Sequence, residues 1–151
     1  MVSRWLSSSD DCRRPVQSTG SRLPGPAPKR HEAGILLVDD QGDLRRMLCR
    51  ALRLEGYSVW EAQSGPEALA VADAEGDRIQ LLLTDIKMPE MDGYELAREL
   101  TRRRPGIRVL YMSGYAENMP PAGVPFLQKP FRLDALKREI ERLLQGDRRV
   151  A

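Results

Sequence analysis

The run Gly34-Ile35-Leu36-Leu37-Val38-Asp39-Asp40 does most to limit what this chain can fold into. Four branched apolar residues in succession leave no polar face. The strand they form must be covered on both sides, as in a parallel sheet between helices. Two aspartates follow where that strand has to end, and in an open α/β sheet ligands bind at the carboxyl ends of the strands. Carboxylates crowded there repel each other unless a proton or cation lies between them. From this stretch alone, one aspartate as a helix cap and the other solvated is an equally good reading, so the later strands decide.

Those strands repeat the pattern. Leu44, Met47, Leu48, Ala51 and Leu52 recur at helical spacing, Arg45, Arg46, Arg50 and Arg53 populate the other face, and Gly56 is placed to stop the helix. Residues 57–62 form a short strand. Ser64-Gly65-Pro66-Glu67 then has the form of a capping box, opening a second helix that carries Ala68, Leu69 and Ala72 to about Gly76. Residues 80–85 are a third strand, apolar from Leu81 to Leu83 and ending in Thr84-Asp85. A loop from Lys87 to Gly93 follows, punctuated by Pro89. A third helix runs through Leu96 and Leu100 and is closed by Pro105-Gly106. Strand four covers 107–112 before Ser113-Gly114, and strand five covers 124–128 before Lys129-Pro130. Leu133, Leu136, Ile140, Leu143 and Leu144 are the stripe of a last helix, which Gly146 ends. Strands alternating with helices at this rhythm mean βαβ units, right-handed crossovers and a parallel sheet.

In such a sheet Asp39, Asp40, Asp85, Ser113 and Lys129 fall at or just past the carboxyl ends of four strands, the first two sharing one. Taken singly, each could be a helix cap or a solvated charge. Taken together, they put three carboxylates, a hydroxyl and an ammonium around one cleft. Clustered carboxylates favour a hard divalent cation held by oxygen, and Mg²⁺ suits a site that keeps several waters. A carboxylate can also attack phosphorus to give an aspartyl phosphate. A cation and Lys129 would then steady the phosphoryl oxygens, and Ser113 could donate a hydrogen bond to one of them.

Composition removes other classes. The formal charge is +2 in all, but residues 1–33 carry +3, leaving −1 for the rest. The basic balance therefore belongs to the N-terminal segment and says little for nucleic-acid binding. That segment is rich in Ser, Arg, Pro and Gly without helical or strand period, and it reads as a disordered tail. Cys12 and Cys49 make no metal-type spacing and read as reduced thiols. There is no signal peptide and no apolar run of membrane-spanning length, so a cytoplasmic protein is expected. A flavodoxin-like cofactor binder or small hydrolase would use the same architecture, but no glycine-rich phosphate loop follows the first strand, which counts against nucleotide binding.

From Gly34 to Gln145 the chain resembles the receiver domain of two-component response regulators. The resemblance rests on Val38-Asp39-Asp40, Leu83-Thr84-Asp85-Ile86-Lys87-Met88-Pro89-Glu90-Met91-Asp92-Gly93, Met112-Ser113-Gly114 and Lys129-Pro130-Phe131. It is strongest to receivers at the C-terminal end of hybrid histidine kinases, and it also fits a stand-alone regulator. The resemblance implies a flavodoxin-like (βα)5 fold, a doubly wound five-stranded parallel sheet of order 2-1-3-4-5. The receiver would span 34–146, between the tail 1–33 and a short end 147–151, with no output domain expected after it. Asp85 would accept a phosphoryl group from a histidine kinase or histidine phosphotransfer protein. Asp40, Asp85 and the Lys87 backbone carbonyl would ligate Mg²⁺, with Asp39 acting through water. Ser113 and Lys129 would hold the phosphoryl oxygens, and Ser113 and Phe126 would form the switch. A cis peptide is expected before Pro130. Such a chain is a phosphoacceptor with at most self-catalysed phosphotransfer and dephosphorylation, not a conventional enzyme, and it needs neither nucleic acid nor membrane. The alternative is a phosphorylation-independent interaction module with a vestigial acidic pocket.

In one respect the sequence departs from the family. Only fifteen residues separate Ser113 from Lys129, and they include Pro120, Pro121 and Gly123. The fourth helix is therefore expected to be short or absent.

Overall fold

The computed structural model describes residues 33–146. The expectations for the N-terminal tail, apart from Ala33, and for 147–151 lie outside the described residues. Five strands alternate with four α-helices: β1 (Gly34–Val38), α1 (Gly42–Leu54), β2 (Ser58–Ala62), α2 (Gly65–Glu75), β3 (Leu81–Asp85), α3 (Gly93–Arg103), β4 (Arg108–Ser113), β5 (Phe126–Gln128) and α4 (Leu133–Gln145). All strand pairs are parallel, in the order β2-β1-β3-β4-β5. This is the doubly wound, flavodoxin-like sheet that the sequence implies.

The central strands are buried along their whole length, because each presents apolar side chains to both faces. On one face Ile35, Leu37, Leu81, Leu83 and Leu110 meet Leu48 and Leu52 of α1 and Leu136 and Ile140 of α4. On the other, Leu36, Val38 and Leu82 meet Ala68 and Ala72 of α2 and Leu96 and Leu100 of α3. Each leucine so buried stabilises the fold by roughly 1.5–3 kcal/mol. Helix starts are locally specified. Ser64 Oγ accepts from Glu67 N at 3.3 Å, but the Glu67 carboxylate reaches the Gln63 amide instead of closing the box on Ser64. The complete capping box lies at α3, between Asp92 and Glu95.

The crossover from β4 to β5 holds only a single 3-10 turn, Ala116–Asn118, as its prolines and glycine imply. The sheet consequently lacks a cover there. Tyr111 and Phe126 are paired in the ladder and share a face with Val109, and all three are only half-buried. A cleft of about 530 Å³ opens between α3 and β4, lined in part by Tyr94, Ala97, Val109 and Tyr111. The crossover is tied across one end of it, where the Tyr94 hydroxyl donates to the Asn118 carbonyl at 2.8 Å.

Several details differ from the sequence expectations. β5 begins at Phe126 and not at 124, since Pro125 has no amide to give to the ladder. Met47, placed on the apolar stripe, is 59% exposed, because the stripe of α1 narrows to Leu48, Cys49 and Leu52. Arg45, assigned to the outer face, turns inward instead. Cys49 is fully buried, and the state expected for the two thiols also involves Cys12. Cys12 lies outside the described residues.

Candidate functional site

The carboxyl ends of β1, β3, β4 and β5 meet at one edge and carry their polar residues to one pocket. Asp39 is fully buried, Asp85 is 8% exposed and Asp40 lies open to solvent. One carboxylate oxygen from each falls within 4.8 Å of the others. Lys129, just past β5, enters from the far side, with Nζ 2.9 Å from Asp39 Oδ2 and 3.5 Å from Asp85 Oδ1. The aspartates are also held by backbone: Gln41 N donates to Asp39 Oδ1 at 2.9 Å, and Ile86 N donates to Asp85 Oδ1 at 3.0 Å. Burial pushes the Asp85 carboxyl up from 3.8 to about 6; Lys129 opposes this, and Asp39 and Asp40 add to it. Gly93 is needed to shape the rim, since a Cβ there would collide with the Asp85 carbonyl.

Ser113 is buried at the end of β4, beside the pocket, but its hydroxyl is turned to the crossover. Oγ accepts from Tyr115 N at 3.1 Å and donates to the Tyr115 carbonyl at 3.3 Å. The Lys129 amide donates to the Ser113 carbonyl at 2.8 Å, which fixes the two strand ends in register. Phe126 lies on the uncovered face, in register with Tyr111 and two residues before the partner of Ser113. The Lys129–Pro130 peptide is cis, as expected. Lys87 follows Asp85 at the rim, with its carbonyl accepting no backbone hydrogen bond among the described residues. Its ammonium sits 4.8 Å over the Tyr115 ring.

Some of the site was not anticipated. Arg45 and Glu61 pack beneath Asp39, Tyr94 tethers the crossover, and Glu90 takes a φ of 70° in the loop past Lys87. In that loop Met91 N donates to the Pro89 carbonyl at 2.8 Å, closing a three-residue turn. Helical spacing had marked Arg45 as an outward residue, and nothing local to Glu61 sets it apart from any strand glutamate.

An all-oxygen donor set, two carboxylates buried and one open, fits a hard divalent cation of the Mg²⁺ type. Positive charge placed there would also relieve the carboxylate crowding that helps to raise the Asp85 carboxyl.

Comparison with known proteins agrees. Residues 35–141 match the family described as response regulator receiver domain. The chain is 40% identical over 119 residues to the sensor kinase CckA of Brucella abortus (strain 2308), covering 75% of this chain but 13% of the kinase. It is 40% identical over 116 residues to the response regulator receiver protein CpdR of the same organism, covering 73% of this chain and 95% of that protein. Among solved structures, the receiver domain of the hybrid histidine kinase CckA aligns with a TM-score of 0.67 at 35% identity, covering 75% of this chain and 100% of that one. The response regulator TrrA of Thermotoga maritima, solved in complex with Mg²⁺-BeF, aligns with a TM-score of 0.66 at 29% identity, covering 74% and 98%. With the strand order, the acidic pocket and the matched span in agreement, this chain belongs to the response regulator receiver domain family, the non-enzymatic signalling modules of two-component systems.

Proposed function

We propose that residues 34–146 are a phosphoacceptor receiver in which Asp85 takes a phosphoryl group from a phosphohistidine donor. The observation that carries this reading is the placement of Lys129 Nζ between Asp39 and Asp85 in a pocket of three carboxylates. An Asp85 oxygen attacks phosphorus, the new P–O bond forms as the P–N bond breaks, and the electron pair leaves on the imidazole nitrogen. Lys129 is close enough to Asp85 to follow the transferred oxygens. Asp40, Asp85 and the Lys87 carbonyl would hold Mg²⁺, with Asp39 acting through water. Such a cation supplies positive charge against the phosphoryl oxygens. The solved TrrA complex, which carries Mg²⁺ and a beryllofluoride group, supports this choice of ion.

Output follows from Ser113. To donate to a phosphoryl oxygen its hydroxyl must leave the Tyr115 carbonyl, loosening one attachment of the crossover. Phe126 shares that sheet face and is free to repack, so a protein-binding surface changes. The donor is a histidine kinase or histidine phosphotransfer protein, and the reading carries with it a cytoplasmic location. A kinase bound to a receiver is known for the relative TrrA, solved with ThkA.

The test is incubation with Mg²⁺ and a small acyl phosphate, read by intact mass. The mass gain of one phosphoryl group is expected in the wild type and not in Asp85→Asn. A folded wild type that takes up no phosphoryl group and no beryllofluoride would overturn the reading in favour of a phosphorylation-independent interaction module.

A further inference from the structure

Beneath the pocket lies a buried pair that the chemistry above does not use. Arg45, in the first turns of α1, and Glu61, near the end of β2, have side chains only 12% and 10% exposed. The Arg45 Nε lies 3.8 Å from Glu61 Oε2, beyond hydrogen-bond reach, and that oxygen has no hydrogen-bond partner among the described residues. Desolvating two ions at such separation is a poor source of stability. The other end of the guanidinium is well engaged: Nη1 donates to the Asp39 carbonyl at 2.7 Å.

That carbonyl belongs to the peptide joining Asp39 to Asp40. The peptide on the other side of Asp39 is pinned by its own amide, which donates to the Ala62 carbonyl at 3.2 Å. The Asp39 carboxylate is held by Gln41 and Lys129. Asp40 is exposed and its side chain makes no hydrogen bond among the described residues. The direction in which Asp40 leaves the strand is therefore set by the peptide plane that Arg45 grips.

We propose that Arg45, backed by the buried Glu61 carboxylate, is a positioning residue that aims Asp40 at the divalent cation. Glu61 keeps the guanidinium from turning out to solvent or into the acidic pocket, and Arg45 passes that constraint to the Asp39–Asp40 peptide. This inference rests on the Mg²⁺ reading above and deepens it.

Simple electrostatics makes the opposite prediction, which gives the test its edge. Removing a cation beside three carboxylates should tighten Mg²⁺ binding, whereas loss of positioning should weaken it. Mg²⁺ dissociation constants are measured by calorimetry on folded protein, for the wild type, Arg45→Gln, Arg45→Lys and Glu61→Gln. Arg46→Gln, an exposed partner of Asp43 on the same helix, is the control for loss of charge alone. Arg45→Gln is expected to weaken Mg²⁺ about 10-fold or more, as loss of outer-shell support generally does. Glu61→Gln should weaken it in the same direction, and the double variant no further than Arg45→Gln. Arg46→Gln should leave affinity unchanged or slightly tighter. Should Arg45→Gln fail to fold, Arg45→Lys carries the comparison at unchanged net charge, where electrostatics predicts no effect, and a lysine that restores wild-type affinity overturns the proposal. Unchanged or tighter binding in folded Arg45→Gln overturns it too, whatever happens to thermal stability. A wild type with no saturable Mg²⁺ binding overturns the metal reading itself, and this inference with it.

Discussion

Asp85 shows how burial and neighbours combine at one residue. Its carboxyl is raised from 3.8 to about 6, first by desolvation, then by Asp39 and Asp40, with Lys129 opposing. Between those two values the metal-free folded protein binds more protons than the unfolded chain. Stability from this group is therefore lost as pH rises through about 4 to 6, by at most about 3 kcal/mol. Asp85→Asn should be more stable than the wild type at pH 7.5 in chelator, and the gain should shrink toward pH 4. Denaturant unfolding checks this, and a less stable variant at pH 7.5 would contradict the account. Lys129 raises a question of shape. Its compact ammonium reaches Asp39 and Asp85 at once, which the broad planar fork of arginine cannot copy. Lys129→Arg should keep Mg²⁺ binding but lose the chemical-shift changes around Phe126 that beryllofluoride induces in the wild type. Wild-type shifts in that variant would remove Lys129 from the coupling.

At the scale of elements, two features stand out. Beside the pocket, Met47 of α1 is 59% exposed and Leu133 of α4 is 38% exposed. Both line a groove that also contains Lys129 and Phe131. A protein that brings a phosphohistidine to Asp85 must rest near this rim, whereas a small acyl phosphate need not. Met47→Asp should slow transfer from a phosphorylated histidine donor at least about 10-fold, the equivalent of losing one buried apolar contact, and leave acyl-phosphate labelling intact. Equal slowing of both would place the effect in the pocket itself. The second feature is the β4–β5 crossover, held by Ser113 to Tyr115 and by Tyr94 to Asn118. Segments with so few buried contacts open easily. Hydrogen exchange from Gly114 to Val124 should change when beryllofluoride binds, an order–disorder response and not a rigid helix shift. Unchanged protection with the mimic bound would falsify the switch and leave a simple phosphate acceptor.

For the whole molecule, stability is concentrated in β1 and β3, between helices on both faces. Leu83 is fully buried among residues of β1, β4, α1 and α4, so its loss leaves a cavity that no side chain can reach across. Leu83→Ala should lower unfolding free energy by about 3 kcal/mol, measured by denaturant titration. A loss below about 1 kcal/mol would mean that the core relaxes around it. Local pattern was enough to read the strands, their parallel pairing, the position of the aspartates, Ser113 and Lys129 at the strand ends, and the missing helix. Each is written in a local pattern: apolar runs ending in polar residues, helical stripes, and prolines where a helix would need amide donors. It took packing to show that Arg45 turns inward, that Glu61 Oε2 is buried without a hydrogen-bond partner among the described residues, and that Ser113 faces the crossover. Packing alone also set the full capping box at Asp92 and the tether from Tyr94. Such contacts join residues whose side-chain directions depend on neighbours brought close by packing, and periodicity carries no record of those neighbours.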